Sequence, residues 1–525
     1  MEYWAKPGLD RQQTLLLYPT LDDSVSEDHP VRQLEEILKA LDWSAWTETY
    51  NGHVGQPPIP PWVMAGVILY GLMRRIRSSR QLEYVCGHNI DFMWLAEGRP
   101  IDHSTFCQFR TKFKEPLKDL FKQIGRVAMG MGFIRLLEVA FDGTRVKANA
   151  SRFHTWTAER VEAVLQELQT QVAAMLAEAE TADASEASLA DDRLAQPLPP
   201  ELADAQQRQE KLREVLEKLH AADAARKRDG IKTPAQLPKA DTDSTVMPNK
   251  EGGYAPNYTP LAATDGTEDF IVDCDVIAGP NEQNELLSSA DRVEEDFGKK
   301  IENLSADKAF GTGANLEGTE TRGVNFHTPV ESPEPQDGNP AKRADPCQPV
   351  PEAERPNLLR NDKGKLAKCC FIYDAERDLY ICPQGKEMPY RETKKQNTSP
   401  GVKAYRIYAC KDCAGCPLAA ECLDAKAKRG RTISRDGHEA ARQRMHAKMQ
   451  SETAQATYNR RMHVGETPFA IIKHIFEVRR FLLRGQEKVR TEWRWVCTAY
   501  NLKKLMTLIV ALRAEGKEIV VNLKG

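Results

Sequence analysis

Three carboxylates and five thiols carry the chemistry legible in this chain of 525 residues. Asp142 and Asp307 each stand where an apolar run breaks into a small-residue turn, "FDGT" and "ADKAFG". Both runs predict strands, and a strand end presents its side chains to the crevice beyond the sheet. Carboxylates brought together there repel one another unless a divalent cation joins them, and such oxygen donors suit Mg²⁺ or Mn²⁺. Two of these ions side by side can activate an attacking oxygen and stabilise the leaving oxygen of a phosphodiester. Taken singly, each aspartate reads more simply as the start of a turn. The weighing changes with Glu466, in "YNRRMHVGETPFAIIKHIFEVRRFLLRG" at 458–485, where Arg460, Arg461, Lys473, Arg479, Arg480 and Arg484 outnumber the two acidic residues, Glu466 and Glu477. The pattern places Glu466 at the start of a helix, where a lone glutamate serves the positive end of the helix dipole. With two strand-end aspartates elsewhere it can instead be a third metal ligand beside phosphate-binding cations.

The thiols form a second constellation. "CPQG" at Cys382 is followed by "YACKDCAGCPLAAEC", with Cys410, Cys413, Cys416 and Cys422. A Cys-x-x-Cys pair lets two thiolates reach one tetrahedral Zn²⁺, and the remaining ligands can come from separate turns. Five candidates compete for four positions. Cys369 and Cys370, adjacent in the β-like run "KCCFIY", are weaker candidates. Twelve cysteines without a leader of basic, apolar and small residues at "MEYWAKPGLD" argue against a disulfide scaffold and for a reduced, cytoplasmic setting. No apolar run nears the roughly 18 residues of a membrane span.

The formal net charge of −3 conceals a division. Residues 157–229 hold 9 basic and 16 acidic side chains, whereas 423–525 hold 22 basic and 10 acidic. The basic end suits a polyanion.

The elements that must position these groups follow from periodicity. Residues 12–130 read as helical, with "PPWVMAGVILYGLM" a buried helix ending near Arg74, Arg75 and Arg77. Ser78 with Gln81 resembles a capping box, and Asp102 or Ser104 can cap the helix of "DHSTFCQFRTKF". Short helices with basic ends, here Arg77, Arg80 and Arg110, are compatible with helix-turn-helix DNA binding. Val161, Val164, Leu165, Leu168, Val172, Met175 and Leu176, then Leu212, Val215, Leu216 and Leu219 after "AQPLPPE", predict a two-helix hairpin inserted after the first strand. "GYAPNYTPLAATD" and "DFIVDCDVIAG" predict an antiparallel pair. A helix, the strand ending at Asp307, a further helix and "GVNFHTPV" complete a mixed sheet. His88 and His103 read as surface or capping groups, and Trp493 with Trp495 as packing for the final helices.

The stretches "HPVRQLEEIL", "GQPPIPPWVMAGVILYGLMRRIRSSRQLE", "DFMWLAEGRPIDHSTFCQFR", "FDGTRVKANAS" and "ETPFAIIKHIFEVRRFLLRGQEKVRTEWRWVCTAYNLKKL" give the chain a family likeness over nearly its whole length. It resembles the DDE transposases of bacterial insertion sequences, most closely the insertion-sequence eleven-eighty-two family. The resemblance implies an α/β, RNase H-like core with Asp142, Asp307 and Glu466 holding two Mg²⁺ (or Mn²⁺). It places a Tyr, Arg, Glu, Lys signature on Tyr458, Arg461, Glu466 and Lys473. The arginine-to-glutamate gap is one longer than in the best-known version, so Arg460 rivals Arg461, and "DKAF" at 307–310 replaces the usual glycine and tyrosine. Among the thiols the family pattern favours Cys382, Cys413, Cys416 and Cys422 for a structural Zn²⁺, with Cys410 as rival.

The implied organisation is a helical DNA-binding domain at 1–132, core segments at 133–156 and 230–330, a helical hairpin at 157–229, a linker and zinc-binding insertion at 331–430, and a basic helical part of the core at 431–525. The implied function is a bacterial, nucleoid-associated transposase acting as a homo-oligomer. It would bind terminal inverted repeats, cleave the ends and transfer the 3′-OH to target DNA. The alternatives are a metal-dependent nuclease without strand transfer and a catalytically silent zinc-containing DNA-binding protein.

Overall fold

The structure, a computed structural model, describes residues 20–50, 57–186, 200–228, 232–249, 252–398, 401–423 and 430–516. The opening stretch read for a leader, and residues 195–199 of the Pro-rich break, lie outside the described residues. Among the described residues no helix is long and apolar enough to cross a membrane.

Helices α1 (Pro30–Ala40), α2 (Pro61–Met73), α3 (Ser79–His88), α4 (Ile90–Leu95), α5 (His103–Lys112) and α6 (Lys114–Gly130) lead into the first strand. α2 is apolar on all sides because it is buried on all sides, from Val63 to Leu72. Asp102 caps α5, accepting from the Ser104 N–H at 2.7 Å. Ser78 precedes α3 without a side-chain capping bond, which corrects the capping-box reading.

The central sheet contains β1 (Glu138–Gly143), β2 (Tyr254–Asp265), β3 (Phe270–Ile277), β4 (Asn303–Ser305) and β5 (Asn325–His327), in the order β3-β2-β1-β4-β5. β3, β2 and β1 run antiparallel to their neighbours, while β1, β4 and β5 run parallel. This is the mixed sheet the element order predicts. Parallel neighbours need crossovers, supplied by α9 (Leu286–Phe297) between β3 and β4, and α10 (Gly313–Arg322) between β4 and β5. Between β1 and β2 the chain leaves the sheet for α7 (Ala158–Glu186) and α8 (Pro200–Arg228). These helices bury Val161, Leu165 and Leu168 against Leu212, Val215 and Leu219 in a small core of their own.

A second, antiparallel sheet follows, in sequential order β6 (Ile372–Asp374), β7 (Leu379–Ile381), β8 (Glu387–Thr398), β9 (Gly401–Ala409) and β10 (Thr432–Arg435). Its core gathers Phe371, Tyr380, Met388 and Tyr408 with the cysteines. The run "KCCFIY" is strand only from Ile372, since Lys368–Cys370 forms a 3-10 turn.

Helices α11 (Glu439–Met449), α12 (Glu452–His474) and α13 (Gln486–Ala514) return to the central sheet. On α13, Trp493 and Trp495 are buried, and the Trp493 indole donates to the Leu261 carbonyl at 3.1 Å. Asn501 accepts from the Ile271 N–H at 3.0 Å and donates to its carbonyl at 2.7 Å, closing the open edge of β3. The amino-terminal helices, the central sheet and α12 to α13 share one continuous apolar core.

Candidate functional site

The register of two strands brings the aspartates together. β1 and β4 pair in parallel as Glu138↔Asn303, Val139↔Leu304 and Ala140↔Ser305. Two residues beyond the last pair stand Asp142 and Asp307, at the same level, with the same face parity, at the carboxyl ends of adjacent parallel strands. Asp142 is buried, within β1, and accepts from the Gly143 N–H at 2.8 Å. Asp307 is half-buried, just past β4, where its side chain accepts from the Ala309 N–H at 2.8 Å and caps a single 3-10 turn. The turn is pinned beneath by Phe310, whose ring meets Phe141 edge-on at 5.3 Å.

α12 covers this face. A Cβ added to Gly465 would lie 3.6 Å from Ala140 Cβ and 3.4 Å from Asp142 Cβ, so the helix backbone passes directly over the aspartate. The next residue, Glu466, is exposed. The sequence placed Glu466 at a helix start; the structure corrects this. α12 begins at Glu452, with Ser451 as cap, and Glu466 sits deep in its interior. The run "GETP" carries a proline, yet the helix continues through Pro468. An interior proline costs about 3 kcal/mol. Here burial of Val464, Pro468, Phe469 and Ile472 against the sheet, and stacking of Phe469 on Trp493 at 6.0 Å, offset it. A helix cap is therefore no longer an explanation for Glu466.

Lys473, two turns further along α12, reaches back to hydrogen-bond the Thr144 hydroxyl, two residues past Asp142. Arg461 lies over the Tyr458 ring at 5.6 Å, whereas its rival Arg460 is engaged by Glu138 at 2.8 Å. The carboxylate oxygens of Asp142, Asp307 and Glu466 do not all come within 4.8 Å of one another; among the described residues only Glu83, Asp102 and His103 form such a group. The donor set itself, carboxylates at two registered strand ends beneath a helix bearing a third, suits a hard divalent cation.

Sequence reasoning missed Glu282. A Cβ at Gly143 would lie 1.8 Å from its Oε2, so the glycine following Asp142 makes room for that side chain. The glycine in "FDGT" was the only trace of it.

The predicted phosphate-binding cations divide. Arg479, Arg480 and Arg484 are exposed on a segment laid along the continuation of β1, with Phe481 N–H donating to the Lys147 carbonyl at 2.8 Å and Lys147 N–H to the Arg479 carbonyl at 3.2 Å. Arg80 is exposed. Arg77 and Arg110 are instead turned inward, which removes both from the DNA-binding set. Arg77 pairs with Glu492 at 2.8 Å, with side chains 13% and 11% exposed, and donates to the Arg480 carbonyl at 2.7 Å. Arg110 donates to the Arg77 carbonyl at 2.7 Å, and burial lowers its pKa. Glu492 also accepts from the Leu482 and Leu483 N–H groups, so these arginines brace the basic segment from behind.

The cysteine centre is compact, with Cys413 and Cys416 half-buried at its edge. Cys382, Cys410, Cys413, Cys416 and Cys422 line one cavity of about 20 Å³, room for a single ion or water and nothing larger. Cys382 occupies a tight turn, its carbonyl accepting from Gly385 N–H at 2.8 Å, and the Arg431 N–H donates to Cys413 Sγ at 3.5 Å. Gly430 must be glycine, since a Cβ there would lie 2.0 Å from the Cys410 carbonyl oxygen and 3.0 Å from Cys413 Sγ. The hydrogen bond from Cys410 draws the Cys382 thiol down to about 6, while the same contact raises Cys410. Burial pushes Cys422 up to about 11. Among the described residues no three of these sulfurs lie within 4.8 Å of one another, so it is the donor type and the shared small cavity, not the spacing, that suit a thiolate-bound zinc. Cys369 and Cys370 lie outside that cavity.

Residues 381–506 match the family model described as Transposase DDE domain, and residues 19–112 match that described as Transposase domain (DUF772). Together the matches indicate a transposase with a DDE domain. The first spans the cysteine centre from Cys382 onward, Glu466 and most of α13; Asp142 and Asp307 stand outside both. No curated protein matches the chain.

Proposed function

We propose that the chain is the transposase of a bacterial insertion sequence of the eleven-eighty-two family, with an RNase H-like core. On this reading it binds the terminal inverted repeats, cleaves DNA at the element ends and joins the freed 3′-OH to target DNA. The observation that carries the proposal is the parallel register that sets Asp142 beside Asp307 under the helix of Glu466. The sheet order β3-β2-β1-β4-β5, with its antiparallel and parallel halves, supports the core assignment.

Asp142, Asp307 and Glu466 would hold two Mg²⁺ (or Mn²⁺). Bound there, the ions would make the attacking water or 3′-OH a better nucleophile and take up charge on the leaving oxygen. The protein's own part is positioning. Lys473 places a cation beside the end of β1, and exposed Arg479, Arg480 and Arg484 extend that charge along the backbone of bound DNA. Arg461, its guanidinium 5.6 Å over the Tyr458 ring, would add a further cation for the DNA backbone on the same helix. Cys382, Cys413, Cys416 and Cys422, with Cys410 as rival, would hold a structural Zn²⁺ bracing the second sheet. The helices of 1–132, with Arg80, would read the element ends, and α7 with α8 at 157–229 would pair two copies of a cytoplasmic homo-oligomer.

One incubation separates this reading from its rivals. A labelled element end with Mg²⁺ should yield joined product; cut but unjoined ends would make the protein a nuclease, and binding without cutting would make it a catalytically silent DNA-binding protein.

A further inference from the structure

Past Asp142 the chain does not turn back. Residues 144–149 run on as an extension of β1, paired in antiparallel fashion with the first half of β2 as Val146↔Tyr258 and Lys147↔Asn257, and Ala148 N–H donates to the Pro256 carbonyl at 2.9 Å. The basic segment 479–484 is stitched to the other side, since Asn149 Nδ2 donates to the Leu482 carbonyl at 2.8 Å and Arg484 Nε to the Asn149 carbonyl at 3.0 Å. This accounts for "TRVKANAS", a motif the triad alone leaves without a task.

At the end of that extension two rings are left uncovered. Phe153 is 78% exposed and Tyr254 is 60% exposed. Arg152 joins the two chain segments that carry them, its guanidinium 4.6 Å over the Phe153 ring and its Nη1 donating to the Tyr254 backbone carbonyl at 3.3 Å. The nearest basic neighbours on the stitched segments, Lys147, Arg480 and Arg484, carry the positive strip toward them. An apolar protein partner would have to bury the Arg152 charge along with the rings, which is costly. A nucleobase has no such difficulty, because its π-face stacks on aromatic rings and guanidinium planes alike while its phosphate meets the arginines. Duplex bases are already stacked on one another, so the rings suit bases that are unpaired. Along β2, Tyr254 lies eight residues before Ala262, the partner of Asp142, which is about 26 Å at about 3.3 Å per residue and so within one turn of duplex of the candidate cleavage site.

We propose that Phe153, Tyr254 and Arg152 form a stacking platform for unpaired nucleobases of the DNA strand freed at the element end. The platform rests on the proposed transposase function for the identity of its strand. The test uses the full-length protein, an element end carrying 2-aminopurine in a short unpaired overhang, the matching blunt end, and a random-sequence single-stranded oligonucleotide with the same probe. The wild-type protein should bind the overhang end about tenfold more tightly than the blunt end, with a change in probe fluorescence. Phe153→Ala and Tyr254→Ala should erase that preference and leave blunt-end affinity and thermal melting unchanged. Phe153→Tyr should retain it. A protein that ignores element ends yet stacks the probe in a Phe153-dependent way keeps the platform and loses the transposase reading. Equal binding of both ends by the wild type and Phe153→Ala proteins overturns the platform, and so does a Phe153→Ala protein that keeps the overhang preference but changes its sedimentation from oligomer to monomer.

Discussion

The oxygen and sulfur constellations differ in how they are closed. The three carboxylates come from β1, the turn after β4 and the middle of α12, and are assembled only when a central sheet, two crossovers and a returning helix are all in place. The five thiols come from one stretch of the chain, 382–422, and line a cavity of about 20 Å³ within a second core. One arrangement leaves Glu466 exposed and is flanked by a cationic strip; the other buries Cys382, Cys410 and Cys422 among apolar side chains. Structural metal sites are closed and catalytic ones keep a position open. On the proposed function, this contrast gives chemistry to the carboxylates and bracing to the thiols.

The sharpest way to break the contrast is at Asp142. Asp142→Asn keeps the volume and removes the charge, so cleavage should fall about a hundredfold or more with folding intact, measured as product formed per minute against thermal melting. An equal loss of stability would make Asp142 a structural residue. Next in size is the buried pair behind the basic segment. Arg77→Met removes the ion-pair partner of Glu492 but leaves its bonds from the Leu482 and Leu483 N–H groups, and should cost about 1–3 kcal/mol in denaturant unfolding, a loss that Arg77→Lys should partly restore. The thiol centre should respond locally. Zinc content should drop from about one per chain to near zero in Cys413→Ser with Cys416→Ser, with faster hydrogen exchange confined to β6–β10, while Cys369→Ser keeps its zinc. The smallest effect belongs to the central sheet. Burial, with Lys448 nearby, lowers His327 to about 4 from its ordinary 6.5. The unfolded chain therefore binds the extra proton between these values, so stability present above about pH 6.5 should be lost as pH falls toward 4, by at most about 3 kcal/mol. His327→Asn should flatten that slope.

What could be read from the sequence was whatever local pattern dictates. The apolar runs before Asp142 and Asp307 announce strands, the alternation of "DFIVDCDVIAG" announces β3, and the spacing within 410–422 announces a thiol cluster. Other features depend on contacts distant in the chain. "GETP" looks like a helix start because proline lacks an N–H, and only packing against β1 and Trp493 shows why the helix runs through it. Arg77 and Arg110 look like surface cations because nothing local reveals Glu492, which lies 415 residues away from Arg77. Glu282 was invisible because its neighbour in space, Gly143, is known to be crowded only when β3 and α9 are built.

The central claim, that Glu466 serves metal-assisted chemistry among cations that gather DNA, is tested most directly by measuring cleavage and binding together for Glu466→Gln and Lys473→Ala with a labelled element end in Mg²⁺. Glu466→Gln should abolish cleavage while holding or raising DNA affinity, because a negative charge facing phosphate is gone. Lys473→Ala should weaken binding and lower its salt slope by about one unit. A Glu466→Gln protein that cuts at the wild-type rate would contradict the account.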